Sequence, residues 1–151
     1  MKFTNYTFLV FLVFNLFGCE KDKLDKQMAE LCKKDGGSKV YETVVLPAHM
    51  FDESGYPFPG WRDRQDKEDR LSKDYLYIHD KTILKDGDPF KGQGRLSRIQ
   101  IKVVRKKDQK ILGETVAYIR AGGDGFVLGH YTMNSCPKAA EPIEKGVFIK
   151  R

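Results

Sequence analysis

Two strand-like segments joined by a short polar turn constrain the fold of this chain more than any other feature of its sequence. Segments 96–106 and 111–121 flank the turn 107–110. The first segment alternates apolar residues such as Ile99 with polar residues such as Gln100, a period-two pattern that predicts a strand with one buried face. Because the turn is short, the two strands are predicted to pair as an antiparallel hairpin.

Helical and β-rich segments on both sides of this hairpin complete an α+β pattern. Residues 20–35 predict a helix, since Leu24, Met28, Leu31 and Cys32 recur at helical spacing on one face, and glycines at 36 and 37 end it. Further strands are predicted at 39–46, at 75–84 with a break near Asp80-Lys81, at 126–133 and at 146–150. We therefore expect one N-terminal helix packed on a small antiparallel sheet of roughly four to six strands.

The start of the chain has the pattern of an export signal. Met1-Lys2 supplies a positive charge, and the segment 8–17 is almost wholly apolar. A helix that spans a membrane needs roughly 20 apolar residues, so this segment is short for one. A positive start followed by a short apolar segment is typical of a secretory signal peptide.

The end of that segment, Leu16-Phe17-Gly18-Cys19, resembles the lipobox of bacterial lipoprotein precursors. Phe17 departs from the smaller residue usual at its position. The resemblance implies cleavage before Cys19 and attachment of diacylglycerol and a further acyl chain to that residue. It divides the chain into a signal peptide at 1–18, an anchor and helix at 19–38, and the β-rich part of the same domain at 39–151.

The residue after the cysteine predicts which membrane holds the anchor. In such lipoproteins an Asp there retains the protein in the inner membrane, and this chain has Glu20. The resemblance therefore implies an anchor in the outer membrane, on its periplasmic face, rather than in the inner membrane. The membrane, reached through the lipid anchor, is the first expected partner.

Assigning Cys19 to the anchor leaves Cys32 and Cys136 as a pair. In an oxidising periplasm the two are expected to form a disulfide, with a free thiol as the alternative. Zinc-ligand spacing is absent, because neither cysteine belongs to a CxxC motif, and no metal or other cofactor is predicted. The segments around these two cysteines also loosely resemble small lipoproteins of Gram-negative bacteria to which no activity is assigned, and this resemblance agrees with the pairing.

The segment 47–74 is the strongest candidate for a contact surface, because loops longer than ~12–15 residues are often functional. Aromatic and basic side chains follow one another there, and they are the candidate binding residues: Tyr56, Phe58, Trp61, Arg62 and Arg64. Aromatic residues are enriched at binding hot spots. The alternative is that the aromatic residues fold back to complete a small core.

Residue types suited to acid–base chemistry are present, but they match no catalytic motif. They are His49, His79 and His130, with Asp52, Asp80 and Asp124. A small envelope hydrolase using a His/Asp pair is therefore an alternative function, and it requires one histidine in a pocket beside a carboxylate. The basic residues of segment 95–110 suit either a solvated hairpin face or an anionic envelope surface. An exported protein has no expected contact with nucleic acid.

Together these features predict a lipid-anchored periplasmic protein that acts as a binding or envelope-accessory module. Its partner would be an envelope protein or cell-wall polymer. A third interpretation is an inhibitor or exclusion factor that acts through the aromatic loop 51–61.

Overall fold

The computed structural model describes residues 19–60, 71–125, 129–138 and 141–151. Its elements in chain order are α1 Cys19–Asp35, β1 Gly37–Val40, β2 Val44–Leu46, β3 Tyr75–Lys85, β4 Arg95–Arg105, β5 Lys110–Ala121, β6 Met133–Cys136, α2 Ile143–Val147 and β7 Phe148–Lys150. Two one-turn 3-10 helices, Ala48–Met50 and Pro89–Lys91, lie in the connections. One long helix with mostly antiparallel strands confirms the predicted α+β class.

Helix α1 forms where the helical spacing predicts it and packs its apolar face on the main sheet. Its first turn is acidic and its last turn is basic, which complements the helix dipole. Leu24 and Met28 are each 3% exposed and pack in one cluster with side chains of β4 and β5. The helix ends before two glycines, as predicted, and the N–H of Gly36 donates to the carbonyl of Cys32 at 2.8 Å.

The main sheet has five strands, and all of its neighbouring pairs are antiparallel. Four strands follow the order β1-β5-β4-β3. The long strand β5 also pairs with β6, so its outer edge is shared between two short strands. Strand β1 lies along residues 113–116 and β6 along residues 118–121. The predicted hairpin is confirmed as β4 and β5.

The disulfide between Cys32 and Cys136 is confirmed, with an S–S distance of 2.01 Å. Cys32 lies near the end of α1 and Cys136 at the end of β6. Both pack beside the cluster formed by α1 and the main sheet. The bond therefore joins the N-terminal helix to the short strand on the edge of β5.

Three strand predictions need correction. The segment 39–46 is two short strands, because the N–H groups of Tyr41 and Glu42 both donate to the carbonyl of Leu112 and end the pairing of β1 with β5. The break predicted near Asp80-Lys81 is absent, since β3 is an edge strand on which exposed polar residues cost little. The strand predicted at 126–133 begins only at Met133, and residues 126–128 lie outside the described part.

The C-terminal strand pairs in a way that the sequence did not indicate. Strand β7 runs parallel to β2, with Val44 opposite Phe148, and the two form a separate two-stranded sheet. The short helix α2 directly precedes β7 and was not predicted. It buries Ile143 and Val147 against the main sheet. The C-terminal segment 143–150 therefore packs on a face of the main sheet and does not add a strand to that sheet.

The two faces of the main sheet are covered unequally. Helix α1 packs on the face that carries Leu96 and Val116. The opposite face carries a second core cluster: Phe58, Leu71, Val103, Leu112, Ile143, Val147 and Phe148. This cluster covers the end of the sheet where β4 finishes and β5 begins. At the other end of the same face, Ile99 and Ile119 remain partly exposed.

Candidate binding site

A cavity of about 260 Å³ lies over the half of this sheet face that the described residues leave uncovered. Its floor is apolar and comes from β4 and β5, because Ser97 lies opposite Ile119 in the pairing and residues two apart share a face. Its walls come from the connection after β3 and from the segment around the start of β6. The lining residues are Lys81, Asp88, Pro89, Phe90, Arg95, Ser97, Ile99, Ile119, Ala121, Tyr131 and Met133.

An aromatic pair forms the wall of the cavity. Phe90 and Tyr131 meet edge to face, with their ring centroids 4.9 Å apart. Phe90 is 69% exposed, yet its backbone is held, because the Asp88 carboxylate accepts a hydrogen bond from its N–H at 3.1 Å. Met133, also on the cavity wall, is 62% exposed. Two large apolar side chains on one open wall indicate a contact surface.

Few polar groups line the cavity, and they carry a small positive excess. Ser97, on the cavity floor, is 4% exposed. Arg95 is bound to Asp86 at 3.3 Å, whereas Lys81 makes no ion pair within the described ranges. Asp88 lies 3.5 Å from Lys91. This lining suits a mostly apolar group with one polar or anionic end.

The first turn of α1 is tied to the loops beside this cavity. The Lys85 ammonium donates to the Glu20 carboxylate at 2.6 Å and to the carbonyl of Gly94 at 2.8 Å. The N–H of Gly94 donates to the other oxygen of Glu20 at 3.2 Å. Lys21 lies 3.0 Å from Asp124. The hydrogen bond from Lys85 is the main reason that the pKa of Glu20 lies below its ordinary value.

Two glycines let these loops approach the helix closely. A Cβ on Gly94 would lie 2.3 Å from Cδ1 of Leu24, which is closer than real contacts allow. Gly123 has a φ of +83°, and a Cβ on it would lie 3.2 Å from Cα of Lys21. The glycine-rich turn that follows β5 therefore packs against the start of α1.

Acid is expected to weaken this attachment through Asp124. Burial raises the pKa of Asp124, but hydrogen bonds from Thr132 and Lys21 outweigh it and lower the pKa from 3.8 to about 2. A carboxylate with a lowered pKa stabilises the fold above its unfolded pKa, and this stabilisation is lost as the pH falls through the folded value. We expect a loss of about 1–2 kcal/mol between roughly pH 5 and pH 2.

This expectation can be checked by urea unfolding across that pH range for the wild type and for Asp124→Asn. The wild type should be more stable at the upper end of the range. The two curves should converge at the acid end, because a protonated Asp124 resembles Asn in charge. A difference that stays constant with pH would contradict the assignment to Asp124.

A buried arginine connects the middle of α1 to β5. The Arg120 side chain is 2% exposed, and its guanidinium donates to both oxygens of Asp25 at 2.9 and 3.3 Å. It also donates to the carbonyls of Gly122 and Thr132, both at 2.9 Å, and to the Thr132 hydroxyl at 2.7 Å. Asn134 donates to Asp25 as well, at 3.2 Å. This network supports the loops around the cavity without reaching its lining.

The aromatic loop predicted as a contact surface contributes part of its residues to the core. Phe58 is 5% exposed and packs edge to face on Phe148, with centroids 5.0 Å apart. For Phe58 the structure therefore agrees with the alternative in which the loop completes the core. Tyr56 is half-buried, and the Lys145 ammonium lies 4.0 Å from the centre of its ring.

The other candidate residues of that loop are Trp61, Arg62 and Arg64, and they lie outside the described residues. The same is true of the lipobox residues Leu16, Phe17 and Gly18.

Replacing Phe58 by Leu is expected to lower the free energy of unfolding by about 1.5 kcal/mol, because the ring contacts with Tyr75 and Phe148 are lost. Tyr56→Leu should cost only about 0.5 kcal/mol, the value of an exposed cation–π contact. Urea unfolding of both variants checks this order. Equal effects at the two positions would contradict the placement of Phe58 in the core.

The three histidines lie on different segments and are all exposed. His49 lies in the 3-10 helix after β2, His79 on β3 and His130 before β6. In the described ranges no carboxylate forms a hydrogen bond with any of them, and no group of metal-ligating side chains is found there. Asp52 accepts from the N–H of Tyr56, and Asp124 takes part in the contacts of the helix start. Among the described residues, no histidine lies with a carboxylate in the arrangement that the hydrolase alternative requires.

The basic run of segment 95–110 is largely engaged within the domain. Arg98 binds Asp35 at 3.1 Å, and Arg105 binds Asp108 at 2.8 Å as well as Glu42. Lys110 also binds Glu42, at 2.6 Å. These pairs connect the hairpin to α1 and to the segment after β1. The run is therefore mostly a set of internal ion pairs on a solvated face.

Sequence patterns alone indicated few of the cavity residues. Segment 85–94 is rich in glycine, aspartate and proline, which indicates a loop but not which of its side chains is exposed. The one available signal is Phe90, a large apolar residue within a polar loop. The sequence pattern predicts Ile99 and Ile119 as ordinary core residues. The alternation of apolar and polar residues along a strand predicts which face is buried, but not whether another segment covers it.

Within the described residues, no helix has the length and apolar character needed to cross a membrane. Comparison of the chain with protein-family models, with curated proteins and with solved structures finds no match.

Proposed function

We propose that this chain is a lipid-anchored envelope protein, acylated at Cys19, whose domain binds a partner through the cavity on the uncovered half of the main sheet. The resemblance of residues 16–19 to a lipobox supports the anchor. The Cys32–Cys136 disulfide fits an oxidising compartment such as the periplasm.

The observation that carries the binding role is the open cavity itself. A domain of this size must bury most of its apolar surface to be stable, yet among the described residues Ile99 and Ile119 stay partly exposed, with exposed Met133 beside them. The cavity has an apolar floor, an aromatic wall and one cation, Lys81, that makes no ion pair with the described residues. This lining favours an apolar or aromatic group of a partner that also carries a polar or anionic end. An envelope protein or a cell-wall polymer with such a group is the expected partner.

The proposed location is the periplasmic face of the outer membrane. Glu20 in place of Asp after the acylated cysteine is the basis for preferring it to the inner membrane. In the structure the Glu20 carboxylate binds Lys85 and Gly94. The sorting argument and this structural role are independent, so Glu20→Asp would have to be scored for folding as well as for location.

Site-specific photocrosslinking of the full-length, acylated protein in its own cell envelope tests the binding role. A photoreactive amino acid at Met133 lies on the cavity wall, and the same residue at Val45, which is 55% exposed on β2, is the matched control. We expect a discrete adduct from position 133 that is absent from position 45. Identical adducts at both positions, or none at position 133, would contradict binding at the cavity.

The anchor is tested separately on the same preparations. Mass spectrometry of the N-terminal peptide should find acyl chains on Cys19, and the Cys19→Ala form should lack them. An unmodified Cys19 in the wild type would contradict the lipid anchor without affecting the crosslinking result.

A further inference from the structure

We propose that the end of the domain formed by the start of α1 and the loops 86–94 and 122–125 rests on the bilayer surface, with Phe90 entering the interfacial region. We call this part of the molecule the anchor end. The inference rests on the proposed acylation of Cys19. The partner surface is the lipid bilayer itself, not a protein.

The first step is that Cys19, the proposed attachment point, is part of the folded domain, with no linker residues between the two. Cys19 belongs to α1, and the carboxylate of the next residue, Glu20, binds Lys85 and the N–H of Gly94. Lys21 is bound to Asp124 in the other loop. One residue of chain spans at most about 3.6 Å, so acyl chains on Cys19 would enter the bilayer directly beside these loops.

The second step is the orientation that this attachment imposes. The strand β4 starts at the anchor end and runs for 11 residues to Arg105, followed by the turn that contains Lys107. At about 3.3 Å per residue, the two ends of the strand are roughly 33 Å apart. Because the helix start is fixed at several points, the anchor end is the part of the domain held nearest to the lipid, and the turn at Lys107 is held away from it.

The third step is the side chain that the anchor end presents. Phe90 is 69% exposed and stands on a backbone held by Asp88. The N–H of Gly125 donates to the carbonyl of Gly92 at 3.2 Å, which connects the Phe90 turn to the other loop of the anchor end. Amphipathic helices of peripheral proteins bury their apolar face about 5–10 Å into the boundary between headgroups and acyl chains, and an exposed aromatic ring is suited to the same region.

The charges of the anchor end indicate what kind of contact this is. Four cations in or directly beside it are paired with carboxylates: Lys85 with Glu20, Lys21 with Asp124, Lys91 with Asp88 and Arg95 with Asp86. At the helix start, Asp22 and Lys23 carry opposite charges that cancel in the net charge. No net positive charge is left in these pairs to attract anionic headgroups. The contact is therefore apolar in origin, and it should depend little on the charge of the lipid.

The test uses the full-length acylated protein in phosphatidylcholine vesicles. An environment-sensitive fluorophore is attached at Lys91→Cys, next to the intact Phe90, and at Lys107→Cys as the matched control. Both lysines are exposed, and the native Cys32 and Cys136 are joined in the disulfide. Quenching by lipids with a quencher on the acyl chain reports contact with the bilayer.

We expect quenching and a blue-shifted emission at position 91 and neither at position 107. Adding Phe90→Asp to the Lys91→Cys protein should reduce its quenching to the level of position 107. Vesicles with added phosphatidylglycerol should give the same result as phosphatidylcholine alone.

The outcomes separate this inference from the proposed function. If the protein floats with the vesicles but positions 91 and 107 are quenched alike, the orientation is overturned and the anchor stands. Quenching that is unaffected by Phe90→Asp, or that appears only with anionic lipid, overturns the role of Phe90. Protein that does not float and carries an unmodified Cys19 overturns the anchor and, with it, the orientation.

Discussion

Replacing Asp25 by Ala is expected to lower the free energy of unfolding by about 3 kcal/mol, because it leaves the Arg120 guanidinium buried without its carboxylate. Arg120 is 2% exposed and Asp25 binds it through both oxygens. Breaking a buried ion pair by removing one partner costs more than the pair itself contributes, since the remaining charge stays desolvated. The acceptors at Gly122 and Thr132 remain and limit the loss.

Equilibrium urea unfolding measures this loss, and Asp22→Ala is its matched control. Asp22 is an exposed residue of the same helix, so its replacement changes the charge equally and should shift stability by no more than about 0.5 kcal/mol. Asp25→Asn keeps an acceptor for Arg120 and should lie between the two. An effect of Asp25→Ala no larger than that of Asp22→Ala would contradict the buried network.

Reducing the Cys32–Cys136 disulfide is expected to cost about 4 kcal/mol of stability. The two cysteines are 104 residues apart, and a crosslink that closes a loop of this length restricts the unfolded chain strongly. The bond also joins α1 to the edge strand β6, which has only the last residues of β5 as its partner in the sheet. Guanidinium unfolding of the oxidised and the reduced protein gives the difference.

The double variant Cys32→Ala/Cys136→Ala separates the crosslink from the packing of the sulfur atoms. Both cysteines pack beside the cluster under α1, so the double variant should be somewhat less stable than the reduced wild type. Reductant should have no effect on the double variant. Oxidised and reduced wild type with the same unfolding midpoint would show that the crosslink does not stabilise the domain.

Local patterns predicted the elements whose stabilising contacts lie close in the sequence. The helix at 20–35 and the hairpin of β4 and β5 were predicted within a residue or two, because helical spacing and strand alternation are properties of short windows. The strand predictions are wrong where contacts with distant segments determine how a strand pairs. The segment 39–46 is divided because two of its N–H groups bond to Leu112, and β7 pairs with β2, about 100 residues earlier in the chain.

The candidate site shows the same division. The aromatic residues near 51–61 were predicted to form a contact surface because their loop is long and rich in turn residues. Phe58, however, packs into the core between Tyr75 and Phe148. The exposed ring is that of Phe90, which lies in a segment whose composition indicates a loop and nothing more specific. Composition identifies aromatic side chains that are able to form contacts, but it does not say which of them the core will take up.

By itself, the sequence determined the α+β class and the positions of α1 and of the central hairpin, and it led us to expect the Cys32–Cys136 pairing that the structure confirms. Only the tertiary structure decided that α2, β2 and β7 cover one half of a sheet face and leave a cavity over the other. It also placed Glu20 and Lys21 against the loops of the anchor end. The physical reason is that secondary structure follows from neighbours a few residues apart, whereas coverage depends on how much apolar surface distant segments bring to the same face.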